Sequence, residues 1–399
     1  MISRAVGKEK GMGGEPQEFR RVYLDNNATT QLRPEVVEAM LPYLCDQYGN
    51  PSSAHWFGRS VRARIEEARE KAAALIGAQP EEVYFCGGGS ESDNTALKGA
   101  AFAKPRGASW RVVTSAIEHP AVLATAGYLA QNGYCQTVVG VDRYGVADPA
   151  VVAAVLDDTT AVVSVMHANN ETGSIQPVRR IAEAARARGA LMHSDAAQSA
   201  GKIPIDVNEL GVDMLSMSAH KLYAPKGMGL LYIRKGVKIH PLITGGHHER
   251  GIRAGTENVA GIVGLGVACE LARQGLAEDA KKIAALRDRL QAGIMEKIPS
   301  VRLNGHPEHR LPGTLNVSIE GAEGETLLIQ CDMQGIALST GSACASGSAE
   351  PSHVLVAMGI PRNVIQGSLR ISVGVYNTVQ DIDYLLERLP RIAEAARAS

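Results

Sequence analysis

The segment SMSAHKLYAPKGMG, residues 216–229, reads as a short apolar strand that delivers His220 and Lys221 into a Gly/Pro loop. A lysine at such a strand end is either solvated or, where its surroundings lower its pKa, a nucleophile that forms Schiff bases. Working outward, three apolar runs read as buried parallel strands: RVVTSAIEH (111–119), AVVSVMHANN (161–170) and ALMHSDAAQS (190–199). Each ends in small or polar residues, as strands do where they open into a site. PEVVEAMLPYL (34–44), SVRARIEEAREKAAALIG (60–77) and VRRIAEAARARG (178–189) carry apolar residues at three- and four-residue spacing and read as helices. The alternation predicts a mostly parallel, helix-covered α/β sheet with its ligand at the carboxyl ends of the strands.

The chain has 399 residues, with 41 Lys and Arg against 42 Asp and Glu, a formal net charge of −1. No run of like charge stands out, so neither a nucleic-acid footprint nor a polybasic membrane patch is expected. No stretch approaches the roughly 20 uninterrupted apolar residues of a membrane span, and a soluble protein is expected. Residues 1–20 are polar and Gly-rich without a secretory apolar core, and read as a flexible tail. The six cysteines, Cys45, Cys86, Cys135, Cys269, Cys331 and Cys344, form no CxxC pair, which argues against a disulfide framework and for a reducing, cytoplasmic setting. The length suggests two domains: a large one over 21–274 and a smaller α+β one over 275–399. Residues 259–297 join them as two helices or one long bent helix.

Three other segments bear on Lys221. HSDAAQ places Asp195 at a strand end, one helix-and-strand unit earlier; it reads either as a helix cap or as the acid that keeps a pyridine nitrogen protonated, as pyridoxal 5'-phosphate chemistry requires. FCGGGSESDN (85–94) runs a strand into a glycine loop and a helix start. Bare backbone there admits a phosphate, and Ser90 with the first amides of the helix would bind it. The pattern is neither a P-loop nor GxGxxG. IEHPAV (117–122) sets His119 at a further strand end, either as a cap or where an imidazole stacks on a ring and carries protons.

With YLDNNATT (23–30), GNPSSAH (49–55), NNETG (169–173), SAHK (218–221), RAGTEN (253–258) and STGSACASGSAEPSHVL (339–355), these motifs stand in one order over about residues 22–375. The set resembles the class V aminotransferase-like family of pyridoxal-phosphate fold type I, and within it the cysteine desulfurases of the NifS/IscS type. The resemblance implies a large domain with a mostly parallel seven-stranded sheet and a smaller α+β domain, residues 21–30 packing with the latter. It implies Lys221 as the cofactor-bonding lysine, Asp195 at the pyridine nitrogen, Gln198 at the ring hydroxyl and His119 as the stacking residue. Ser90, the Glu91 amide, Ser218 and His220 would hold the phosphate, with Thr256 reaching across from the second subunit of a homodimer. Asn170 and Arg370 would fix the substrate, and a planar guanidinium suits an amino-acid carboxylate.

Cys344 is the discriminating residue. Residues 339–350 hold only small side chains apart from Cys344 and Glu350, a composition that predicts a mobile loop. The implied reaction converts L-cysteine to L-alanine, Lys221 removing the Cα proton and the Cys344 thiolate taking the sulfur as a persulfide, with His119 as proton carrier. The sulfur would pass to a protein acceptor such as an iron-sulfur scaffold, or serve tRNA thiolation. Ser90 stands where many relatives carry Thr, and His247 where Gly is common. His247 forms a local cluster with His240 and His248, but no Cys or carboxylate set completes a metal site and none is expected. A selenocysteine lyase and a class V aminotransferase are the alternatives on the same scaffold, and a non-catalytic cofactor-binding scaffold is the alternative from another class.

Overall fold

In the computed structural model, which describes residues 20–105, 109–340 and 350–398, strands and helices alternate along the chain. In chain order the strands are Val22–Tyr23 (β1), Val83–Cys86 (β2), Arg111–Ser115 (β3), Cys135–Val139 (β4), Thr160–Ser164 (β5), Leu191–Asp195 (β6), Met214–Ser218 (β7), Gly229–Ile233 (β8), Val301–Asn304 (β9), Thr314–Ile319 (β10), Ile336–Ala337 (β11) and Ser368–Ser372 (β12). Seven of them form one sheet in the order β2-β8-β7-β6-β5-β3-β4. Its pairs are parallel except at β8, which runs antiparallel to both β7 and β2. Every residue of β5, β7 and β8 is buried, which is why their sequences are near-continuous apolar runs rather than alternating ones. The expected seven-stranded, mostly parallel α/β sheet is therefore present.

The apolar runs at 161–170 and 190–199 stop being strands at Ser164 and Asp195. Beyond those points the backbone still donates across, from Val165 to His193 and from His167 to Asp195, so the loops leave the sheet edge in a fixed direction. The helices run Pro34–Cys45, Trp56–Ile76 and Val178–Ala187. The second begins earlier than the periodicity predicts because His55 caps it, its side chain accepting from the Gly58 amide.

Residues 259–297 form one helix, Val259–Lys297. Its early positions Ile262, Leu265, Ala268, Cys269 and Ala272 enter the core beneath the large sheet. Its later positions Ile283, Leu286, Leu290 and Ile294 enter a second core with Val22, Leu24 and the strands of the antiparallel sheet β12-β10-β9. The sequence boundary at 274/275 thus falls inside a continuous helix. An eighteen-residue window of it has a mean hydropathy of 1.3, enough by composition to cross a membrane; Glu270 and Arg273 break the apolar run. In the fold this helix packs on Pro34–Cys45 and Trp56–Ile76. β1 pairs in parallel with β11, and Asp25 bridges to Ser372, so residues near 22–25 lie on the second core. Of the tail read over 1–20 only Arg20 is described, paired with Asp381 at 2.7 Å.

Candidate active site

The carboxyl ends of β2, β6 and β7 and the loops after β3 and β5 converge on a cavity of about 580 Å³. This is where a parallel sheet leaves unpaired backbone and room for a ligand. Ser90, Glu91, His119, Asn170, Asp195, Gln198, Ser218, His220, Lys221 and Arg370 all line it. Thr256 is exposed and is not part of the lining in its own chain. Cys344 and residues 341–349 lie outside the described residues.

One end of the cavity is backbone. The helix Gly89–Phe102 starts there, and its first amides have no carbonyl one turn earlier to bond. Gly229 of β8 lies so close that a Cβ on it would meet the Gly88 main chain at 2.7 Å, and a Cβ on Gly89 would come to 3.3 Å from Ser218. Only bare glycine leaves this cradle open. The Glu91 carboxylate is turned away from the ligand side: it accepts from the Gly87 amide at 2.9 Å and from Arg253 at 2.9 Å. His220 bonds Thr29 Oγ1 at 3.2 Å, and burial together with Lys221 pushes its pKa down to about 4, so it is a neutral ring.

The other end is ionisable and dry. Burial raises the pKa of Asp195, while the Ala197 amide at 2.8 Å and the neighbouring His119 and Lys221 favour its charged form. Beneath it lies Asp93, also fully buried and also shifted upward, first by burial and then by Asp195. Asp93 Oδ1 has no hydrogen-bond partner among the described residues and stands 3.7 Å from His193 Nε2. His193 is tied to Ser164 and Ser216 at 2.8 and 2.9 Å, and burial holds it neutral with a pKa of about 3. His119 accepts the Ala121 amide at Nδ1, at 3.1 Å, which places its proton on Nε2 in the neutral ring. Burial lowers its pKa against the opposing pull of Asp195, and Lys221 and His353 add to the lowering.

Between the two ends Lys221 Nζ donates to the carbonyls of Asn27 and Ala28 at 2.5 and 2.7 Å. Asn27 is a hub that the sequence reading passed over. Its side chain donates to Thr314 Oγ1 and to the Asn170 carbonyl, and its amide donates to Ser372 Oγ, tying the large sheet to the small one. Arg370 of β12 is buried rather than on the surface, and already holds an ion pair with Asp25 at 2.9 Å. Its Nη1 reaches the Asn170 carbonyl at 3.4 Å, and its buried Nε has no partner among the described residues. Ser339 pairs with Arg370 through both backbone bonds. Ser352 donates to Glu171 Oε2 at 2.5 Å.

Asp25, Asn27, Asp93 and Lys202 are the site residues that motif reading missed. The YLDNNATT and SESDN motifs contained three of them, but only the fold shows what their side chains reach. Cys86, beside the glycine loop, is a buried thiol with its pKa pushed up to about 12, unsuited to act as a thiolate. The histidine cluster is divided: His240 packs edge-on to Phe102 at 6.2 Å, whereas His247 and His248 line a separate cleft of about 280 Å³.

Comparison with known proteins agrees with this geometry. A family model described as aminotransferase class-V matches residues 22–385. A protein named cysteine desulfurase IscS from Methanosarcina thermophila is 50% identical over 380 residues, 95% of this chain and 94% of that protein. One of the same name from Dictyoglomus turgidum is 49% identical over 95% of this chain and 96% of its own. Among solved structures, a NifS-like protein superposes with a TM-score of 0.89 at 41% identity, over 94% of this chain and 100% of that one. The structure titled SspA in complex with cysteine gives a TM-score of 0.80 at 35% identity, over 90% of this chain and 100% of that one. The chain belongs to the class-V aminotransferase family, and within it to the cysteine desulfurases.

Proposed function

We propose that this protein is a pyridoxal 5'-phosphate-dependent cysteine desulfurase that converts L-cysteine to L-alanine and passes the sulfur to Cys344 as a persulfide. The observation that carries the reading is the convergence of Lys221, Asp195, His119 and Arg370 on one cavity that also contains a glycine cradle at a helix start. That donor set fits the cofactor. The open backbone at residues 87–90, Ser90, Ser218 and neutral His220 would hold its phosphate, completed by Thr256 of a second copy. Asp195 would face its ring nitrogen, Gln198 its hydroxyl and His119 its ring face. When bound, the cofactor supplies an electron sink that makes the substrate Cα proton removable.

The remaining roles belong to the chain. Lys221 takes and returns the Cα proton at Nζ, held in place by the Asn27 and Ala28 carbonyls. Arg370, braced by Asp25, and Asn170 orient the substrate carboxylate. His119, neutral and protonated at Nε2, carries a proton at the product side. The Cys344 thiolate attacks the substrate sulfur, so the Cα-side fragment leaves without it and becomes alanine.

The homodimer in this reading is supported by exposed Thr256 and by the exposed apolar side chains of Leu44, Tyr48 and Trp56, at 62, 72 and 64%. Its sulfur acceptor is a protein such as an iron-sulfur scaffold, and its setting is cytoplasmic, which suits the free cysteines. The test is turnover of L-cysteine by purified protein, with sulfide and alanine both measured. Cys344→Ser is expected to abolish sulfide release while the cofactor stays bound; sulfide production at the unaltered rate would overturn the assignment of Cys344.

A further inference from the structure

Lys202 lies four residues after Gln198, and neither composition nor motif singles it out. Its ammonium donates to Gln198 Oε1 at 3.0 Å and reaches Asn27 Oδ1 at 3.4 Å. Gln198 Nε2 in turn donates to the Asn27 carbonyl at 2.9 Å, the same carbonyl that Lys221 Nζ engages. Two lysines therefore grip one asparagine, one at its side chain and one at its backbone. Both also border a second cavity of about 30 Å³, the share of a single water, on the far side of Asn27.

The charges around Lys202 are mostly its own sign. Lys221 and Arg370 both oppose its protonation, after burial, and its pKa is pushed down to about 7. Arg33 and Asp279 on the wall of the small cavity are paired with each other at 3.1 Å, and neutral Tyr223 and His220 complete the surroundings. A cation beside an amine in dry surroundings opposes its protonation, a known way of freeing a lysine amine to act near neutral pH.

We propose that Lys202 is a positioning residue for Lys221: by holding Gln198 Oε1 and Asn27 Oδ1 it fixes the Gln198 amide and the Asn27 carbonyl that Lys221 engages, and its charge, when present, opposes a second charge on Lys221. The inference rests on the reading of Lys221 as the reacting lysine.

The test follows the pH dependence of acetic anhydride labelling at the Lys221 peptide, by mass spectrometry, in full-length protein freed of cofactor. Lys202→Met and Lys202→Gln are each expected to raise the half-labelling pH of Lys221 by about one unit, or about tenfold slower labelling near neutrality. Lys202→Arg, which carries its charge at every pH, is expected to hold the half-labelling pH of Lys221 at or below the wild-type value. An unchanged labelling profile in whichever of the Met and Gln variants folds overturns the inference and leaves the desulfurase reading standing. Full sulfide release by Lys221→Ala would instead overturn the reading on which it rests.

Discussion

At the residue 87–91 end of the cavity the groups that face a ligand are main-chain amides and hydroxyls, and the nearby carboxylate, Glu91, is tied up by Gly87 and Arg253. At the Asp195 end they are ionisable side chains from which water is excluded: Asp195 and Asp93 shifted upward, His193 and His119 shifted downward. The first end holds charge with dipoles that do not titrate, at little cost in solvation. The second keeps protons in fixed places because burial makes the charged forms expensive. Binding strength is thus concentrated at one end and proton control at the other, and substitutions at the two ends should separate in what they change.

The largest effect is expected at Lys221, between the ends. Lys221→Ala is expected to lower desulfurase turnover by at least about 10³-fold, the scale of a lost proton-transfer group, measured as alanine formed per active site. Asp195→Asn comes next, with kcat lower by about 10²- to 10³-fold at saturating cofactor, because a group that stabilises developing charge is gone. A kcat within threefold of wild type would break the division drawn above. Ser90→Ala is expected to act on affinity instead: cofactor binding weaker by about tenfold to a hundredfold, the worth of one hydrogen bond to a charged group, with kcat restored once cofactor is saturating. A drop in kcat that excess cofactor does not restore would show that the cradle also shapes the chemistry.

The smallest expected effect is on stability. Burial depresses the folded-state pKa of His193 to about 3 and of His167 to about 4, from 6.5. In that window the unfolded chain binds more protons than the folded one, so stability is present above pH 6.5 and is lost as pH falls toward 4. Thermal unfolding midpoints should therefore decline over that range, and His193→Gln should flatten the decline even if it lowers the midpoint at neutral pH. An equal slope in the variant would place the acid sensitivity elsewhere.

Much of this was legible in residues taken one segment at a time. The buried strands β5 and β7 announce themselves as apolar runs that stop at polar residues. Asp195 ends β6, while Lys221 and His119 follow the ends of β7 and β3 by three and four residues, His119 as the cap of the helix Pro120–Gln131, and the glycine loop precedes a helix start. Asn27 and Lys202 were not legible, because their importance lies in partners far along the chain: Asn27 meets Thr314 and Ser372, and Lys202 meets Asn27. Arg370 was named, but its buried pairing with Asp25 depends on β12 lying beside residues near the start of the chain. The division of His240 from His247 and His248 has the same origin, since nearness in sequence does not fix which side chain packs on Phe102.

The sequence by itself determined the element types, the apolar cores and the kinds of chemistry available, because periodicity and residue type act locally. The tertiary structure alone decided which polar groups lost their water and which charges became neighbours. Protonation state depends on burial and on through-space partners, and neither is a property of a residue's place in the chain.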